Sequence, residues 1–338
     1  MKIAGSELDG RPLIVAEVSS SHNGSKQRAI DLIQAAKDAG ADLVKFQAYT
    51  PDTITLDHDG PGFTLRSGPW KGRKLYELYQ EAHTPWDWFP DIFSYAKMQK
   101  IGCFCSVFDQ SSVDMLERLS CQAYKIASFD IVDIPLIKYV AKTSRPIIIS
   151  TGMADKAEIS AATDALPADY PQVFLHCVSG YPTPIDQANL WRIGMLKEHL
   201  QTQIGISDHT LGWEVPVAAT ALGAVLIEKH LCMSRSQGGP DAGFSLEPHE
   251  FRQMVDKVRA ISLGMTERLT DSEEYKSARK SLYVVADIPA GGTISLENVR
   301  AIRPAYGLPP KFLESLVGRR VTSSLKRGSP LSWDDLQS

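Results

Sequence analysis

The chain has 338 residues, and at about 150 residues per domain that length points to two domains, or to one large barrel with an appendage. Hydrophobic residues make up 43% and charged residues 22%, ordinary globular values that exclude a disordered chain and a small stapled scaffold. Lys plus Arg number 36 against 40 Asp plus Glu, a formal net charge of −4. That balance makes neither nucleic acid nor an anionic membrane an expected partner, so any bound anion must be held by a local cluster.

Short β-branched runs alternate with helical patterns from Leu13 to Leu263. In chain order the strands are LIVAEV from Leu13, DLVKFQ from Asp42, CFCSV from Cys103, AYKIA from Ala123, PIIIS from Pro146, VFLHC from Val173, IGIS from Ile204 and AVLIEKH from Ala224. An amphipathic stretch follows each. Eight successive β-then-α units predict an α/β fold, a (β/α)8 TIM barrel with its site at the C-terminal strand ends; a doubly wound open sheet is the rival. The insertion from Tyr49 to Trp88 exceeds a simple βα loop and is expected to shape or cover the site. Its Trp70, Trp86 and Trp88 serve either to bury the insertion, the favoured use, or to stack on a ligand.

The predicted barrel occupies residues 1–265, a charged linker 266–280, and a small β-rich domain 281–338. In the last, IPAGGTISLENV from Ile288 and LKRGSPLSWDDL from Leu325 align at a constant offset of 37 residues, pairing Gly291 with Gly328 and Ile294 with Leu331. Two copies of one turn-and-strand unit imply pseudo-symmetry. Five cysteines without a C-x-x-C argue against a disulfide framework and a structural zinc site. With no basic n-region and no apolar run near the roughly 18 residues of a membrane span, a soluble cytoplasmic protein is expected.

Polar residues close nearly every strand: Glu17, Lys45 with Gln47, Ser106, Lys125 with Ser128, Ser150, Cys177 with Ser179, the triplet Ser207, Asp208 and His209, and Glu228 with His230. Each alone has a plain use, a lysine in an ion pair or a serine capping a helix. Together they outnumber what an apolar barrel interior requires. His209 and His230 lie at matching ends of consecutive strands and could converge on one divalent cation. Lys45 and Lys125 form a phosphate cradle with neighbouring hydroxyls. Glu17 is the candidate acid, base or orienting group, Asp241 a candidate acceptor for substrate hydroxyls, and Glu228 a partner of a lysine or of His230. His22 either touches substrate or caps the first helix.

The ordered set AEVSSSHNG, KFQAYTPDT, YKIASFD, ISTGM, HCVSGYPTP, GISDHTLG, IEKH and GGPDAGFSLEP, closed by VRAIRPAYGLPPK, resembles the sialic acid synthase family, which condenses phosphoenolpyruvate with an N-acylated amino sugar. Within it, QAYTPDTITLD, GRKLYELYQEAHTPWDW and SLYVVADI are most similar to pseudaminic acid synthases, and the C-terminal repeat is similar to the family's antifreeze-like (SAF-type) domain. The resemblance implies that His209 and His230 bind Mn²⁺, or else Mg²⁺ or Co²⁺. Lys45, Lys125, Ser128, Ser150 and Ser179 would hold phosphoenolpyruvate, while Glu17, Gln47, Tyr181 and Asp241 face the reacting centre and the acylated amino sugar. Asn23, Ser106, Asp130, Cys177 and Ser207 complete the expected substrate set, and Asp208 joins Glu17, Lys45 and Lys125 as an expected catalytic group. Arg303 would reach a sugar site from the C-terminal domain, in a domain-swapped homodimer. The chain departs from the family pattern at Ser21, Val107 and Asp130, where Asn, Pro and Glu are usual. N-acetylneuraminate or legionaminate synthesis is the near alternative. A metal-dependent aldolase or isomerase, and a sugar-binding protein, are the distant ones.

Overall fold

The computed structural model describes residues 1–265 and 273–337. The chain divides into two units, Met1–Thr266 and Glu267–Ser338. In the first, eight parallel strands form a closed barrel in sequential order: β1 Leu13–Glu17, β2 Leu43–Ala48, β3 Gly102–Val107, β4 Tyr124–Ile126, β5 Ile147–Ser150, β6 Gln172–Cys177, β7 Gln203–Asp208 and β8 Leu226–His230. Closure pairs β8 with β1 in a register that sets His230 beside Glu17. The strands are buried on both faces, so they read as continuous apolar runs rather than as alternating patterns.

A helix follows each strand, beginning with Lys26–Asp38 after β1 and ending with Pro248–Gly264 after β8. In the first, Ala29, Leu32, Ile33 and Ala36 face the barrel, the i, i+3, i+4, i+7 stripe of a surface helix. Starts are fixed by side chains: Ser25 accepts from Arg28 N at 3.3 Å, and Asp155 and Glu158 cap each other's backbone at 2.9 Å each way. Such caps contribute about 1 kcal/mol each. His22 does not cap the first helix. It is fully buried, its Nε2 3.2 Å from Thr84 Oγ1 and its ring edge-on to Trp88, so it ties the turn after β1 to the insertion.

The insertion has structure of its own, with short helices at Pro51–Ile54 and Leu75–Ala82. Trp86 and Trp88 pack against the barrel core. Trp70 behaves differently, and its place is described with the site.

Of the expected linker, residues 266–272 lie outside the described residues, and Glu273–Ala278 is helical. In the second unit β9, Ser281–Val284, pairs antiparallel with β10, Val299–Ile302. Further pairing is by isolated bridges rather than by long strands. The repeat appears in the backbone as a two-fold exchange. Gly291 N donates to Val321 O at 3.0 Å, and Gly328 N, 37 positions on, donates to Val284 O at 2.8 Å. Ile288 and Leu325 are themselves repeat mates and exchange both hydrogen bonds at 2.9 Å. Gly291 and Gly328 both have positive φ, +76° and +92°, a turn geometry that favours glycine in each copy. Among the described residues no helix is long and apolar enough to cross a membrane.

Candidate active site

The C-terminal strand ends enclose a cavity of about 60 Å³. Larger open space, about 260 Å³, lies near the opposite end of the barrel, where Arg11 is the only charged lining residue among the described residues. The smaller cavity gathers most of the polar residues that close the strands. Its lining includes Glu17, Lys45, Gln47, Ser106, Lys125, Ser128, Ser150, Cys177, Tyr181, Ser207, His209, Glu228 and His230.

Four ionic groups form its floor, all almost fully buried. Lys125 Nζ lies 3.0 and 3.1 Å from the two oxygens of Glu228, and Ser207 Oγ donates to the same carboxylate at 3.0 Å. Lys45 Nζ lies 2.8 Å from Glu17, 2.9 Å from Ser106 Oγ and 3.6 Å from Glu228. Gln47 Nε2 donates to Glu17 and to Ser19 Oγ, each at 2.9 Å. Burial opposes every one of these charges, and geometry decides which of them hold. For Glu228, burial is outweighed by Lys125 and Lys45, which bring its pKa down to about 2. Glu17 goes the other way: desolvation and the nearby Glu228 outweigh Lys45 and raise it. Desolvation is outweighed at Lys45 by two carboxylates, which raise its pKa, but prevails at Lys125, whose pKa is lowered.

The two histidines stand on the wall, ring centroids 5.5 Å apart. His209 Nδ1 lies 2.9 Å from the Val178 carbonyl, an acceptor only, so Nδ1 carries a proton and the ring orientation is fixed. His230 is held neutral by desolvation, its pKa pushed down to about 4, and its buried Nδ1 has no hydrogen-bond partner. Two imidazoles, one with its Nδ1 committed to a carbonyl and one neutral with an orphan nitrogen, fit a divalent cation whose other positions would go to water or substrate. Among the described residues no group of three or more His, Cys, Asp or Glu side chains is placed to hold a metal ion.

Ser128 Oγ and Ser179 Oγ are 3.0 Å apart, and Ser150 Oγ is buried without a partner. Gly152, at φ +47°, lets the chain pass close by; a Cβ there would fall 2.5 Å from Ser128 Cβ. Cys177 Sγ lies 3.9 Å from His209 Nδ1. Three aromatic residues roof the histidines. Tyr181 lies 4.3 Å from the His209 ring, Phe244 4.9 Å from His230, and Trp70 5.6 Å from Tyr181. Trp70 Nε1 also donates to Pro240 O at 2.9 Å, bringing the insertion to the site's edge rather than to the core. Burial raises the Tyr181 phenol pKa, so the ring is neutral. Phe244 and Phe129, which also line or border the site, were not anticipated. Phe244 lies in the GGPDAGFSL loop that sequence reasoning valued only for Asp241.

Several expected site residues stand elsewhere. Asp208 does not face the cavity with Ser207 and His209. Successive strand residues point to opposite sides, and Asp208 points away, pairing with the buried Lys229 at 2.5 Å. Asp241 is outside the lining: its Oδ2 accepts from Ser20 N at 3.1 Å and Ser20 Oγ at 2.7 Å, tying the loop after β8 to the turn after β1. Asn23, in left-handed backbone at φ +46°, donates to Gly238 O at 2.9 Å and anchors that same loop. Asp130 is not in the lining either; burial and Asp133 push its pKa up to about 7. Arg303 belongs to the second unit and is exposed there.

Residues 32–269 match the NeuB family, and residues 279–337 match the SAF domain. A pseudaminic acid synthase of Campylobacter jejuni is 40% identical over the whole of both chains. One of Helicobacter pylori is 38% identical over 96% of this chain and 98% of that protein. The crystal structure of an N-acetylneuraminic acid synthetase from Leptospira borgpetersenii superposes with a TM-score of 0.71 at 30% identity, covering 80% of this chain and 90% of that one. The match covers more than half of the chain and both of its units, and the chain is a member of the NeuB family with a C-terminal SAF domain.

Proposed function

We propose that this chain is a pseudaminic acid synthase, condensing phosphoenolpyruvate with 2,4-diacetamido-2,4,6-trideoxy-L-altrose and water to give pseudaminic acid and phosphate. The observation that carries this reading is the end-to-end identity of 40% and 38% to two proteins of that name, above the 30% to the N-acetylneuraminic acid synthetase. The cavity supplies residues of the right kinds. Lys125, Ser128, Ser150 and Ser179 hold the phosphate and carboxylate of phosphoenolpyruvate, and Lys45 adds positive potential from the floor. The nucleophilic C3 of the enol ester attacks the sugar aldehyde, and the cation-like C2 that results captures water. Phosphate then leaves with its bridging oxygen. Glu17, with its raised pKa, is suited to take the proton of that water.

A divalent cation on His209 and His230, Mn²⁺ first with Mg²⁺ or Co²⁺ as alternatives, supplies Lewis-acid polarisation of the aldehyde oxygen when bound. Tyr181, Phe244 and Trp70 offer an apolar wall to the methyl and acetyl groups of the acceptor, whose burial stabilises by about 25 cal/mol per Å². The working form is a cytoplasmic homodimer in which Arg303 of one protomer reaches the sugar of its partner.

The test is phosphate release from phosphoenolpyruvate with Mn²⁺ and a panel of amino sugars. The altrose should give the highest kcat/KM. A clear preference for N-acetylmannosamine, which lacks the second acetamide and carries an extra hydroxyl, would reassign the chain to N-acetylneuraminate synthesis.

A further inference from the structure

Asp208 and Lys229 each stand one residue ahead of a cavity histidine, and the β7–β8 register pairs them directly. Because side chains alternate, their contact lies on the outside of the barrel wall while His209 and His230 face each other on the inside. Both are sealed, Lys229 at 0% and Asp208 at 4% exposure.

Their hydrogen bonds converge on the residue that follows His209. Lys229 Nζ donates to Asp208 Oδ2 at 2.5 Å and also to the Thr210 carbonyl. Asp208 Oδ1 accepts from Thr210 N, and Oδ2 from Thr210 Oγ1, both at 3.0 Å. His209 is thereby bracketed on both sides by groups fixed to the neighbour of His230. Its carbonyl is held as well, by Thr183 N at 2.9 Å. His230 has no side-chain hydrogen bond at Nδ1 to orient it, so its placement depends on the backbone that Lys229 anchors. An apolar pair of similar volume is commonly at least as stable in such a buried position. What the ionic pair adds is a fixed register between two strand ends.

We infer that the Asp208–Lys229 pair, closed by Thr210, is a positioning device that sets the separation and aim of the His209 and His230 rings for a divalent cation. The inference rests on the proposed metal role of those histidines. The test measures Mn²⁺ affinity without substrates, by electron paramagnetic resonance of the free ion, alongside urea unfolding. The double variant Asp208→Leu/Lys229→Met, which replaces the pair by apolar side chains, should stay folded and bind Mn²⁺ about 10–100-fold more weakly. The visible spectrum of bound Co²⁺ should change with it. Thr210→Val, which removes only the hydroxyl contacts, should weaken binding several-fold, and it carries the test alone if the double variant does not fold. His209→Ala separates the two claims. Parent binding that is absent, or that survives His209→Ala, overturns the metal reading and this inference together. Binding lost in His209→Ala but unchanged in the folded pair variant, or in Thr210→Val, overturns this inference alone.

Discussion

Lys125 on β4 and Glu228 on β8 join directly opposite strands of the eight, the ammonium gripping both carboxylate oxygens at 3.0 and 3.1 Å. The contact spans the barrel interior and sets the floor on which substrate charge must rest. Removing one partner of a buried pair leaves the other uncompensated. Glu228→Gln should therefore lower unfolding free energy by about 3–5 kcal/mol at pH 7, and saturating phosphoenolpyruvate should recover part of it by binding the freed cations. Urea titrations with and without the ligand give both numbers. Parental stability in the variant would mean that Lys125 does not depend on Glu228.

Chelation should abolish turnover and Mn²⁺ should restore it, while His209→Ala and His230→Ala should each cost several orders of magnitude in kcat with the fold intact. Full activity in rigorously chelated, metal-free protein would remove the assigned role of both histidines.

Acid should destabilise the fold through its buried histidines. Desolvation pushes the pKa of His22 down from 6.5 to about 4, so between those values the unfolded chain binds the extra proton and stability falls as pH drops through that window. From pH 7 to pH 5 this histidine alone accounts for about 2 kcal/mol. His22→Gln, whatever its stability at pH 7, should lose correspondingly less on acidification. Parallel curves for variant and parent would show that His22 titrates normally in the folded state.

If water enters at C2, ¹⁸O placed in the bridge between C2 and phosphorus leaves with phosphate. Mass spectrometry of both products decides it, and label retained in the sugar would move the attack to phosphorus.

Arg303→Ala and His209→Ala proteins should each be nearly inactive, yet regain activity when mixed, unfolded and reassembled. A mixed dimer that swaps its C-terminal domains contains one site with an intact barrel and an intact Arg303, while the other site holds both lesions. No recovery at any mixing ratio would place Arg303 in the service of its own barrel.

The strands were legible because β-branched runs such as PIIIS and VFLHC have no polar interruption until their C-terminal ends, where a barrel puts its chemistry. Glu17, Lys45, Lys125, His209 and His230 follow from that pattern, and the structure gathers them around one cavity. Asp208 did not follow, because SDH reads as one cluster unless the two-residue alternation is applied within it. Asp241 and Asn23 were opaque for a different reason. Their partners Ser20 and Gly238 are more than 200 positions away, and no local pattern shows which loop a side chain will tether. Trp70 is the same residue type as Trp86 and Trp88, and only its tertiary contacts, with Pro240 and Tyr181, separate it from them.

The two-fold exchange in the second unit bears on how that unit comes into being. Ile288 and Leu325 stitch one copy to the other by reciprocal bonds, and the apolar centre draws Leu282, Val284, Ile288 and Ile294 from the first half and Val321, Leu325, Leu331 and Leu336 from the second. The first half has its own β9–β10 hairpin, but neither half has a cover for its apolar side until the other is present. As the ribosome extends the chain, the apolar side of the first copy must wait, uncovered, for the second copy to emerge. A messenger that stops after Gly318 would then yield a finished barrel trailing a segment unable to fold, a ready substrate for proteases.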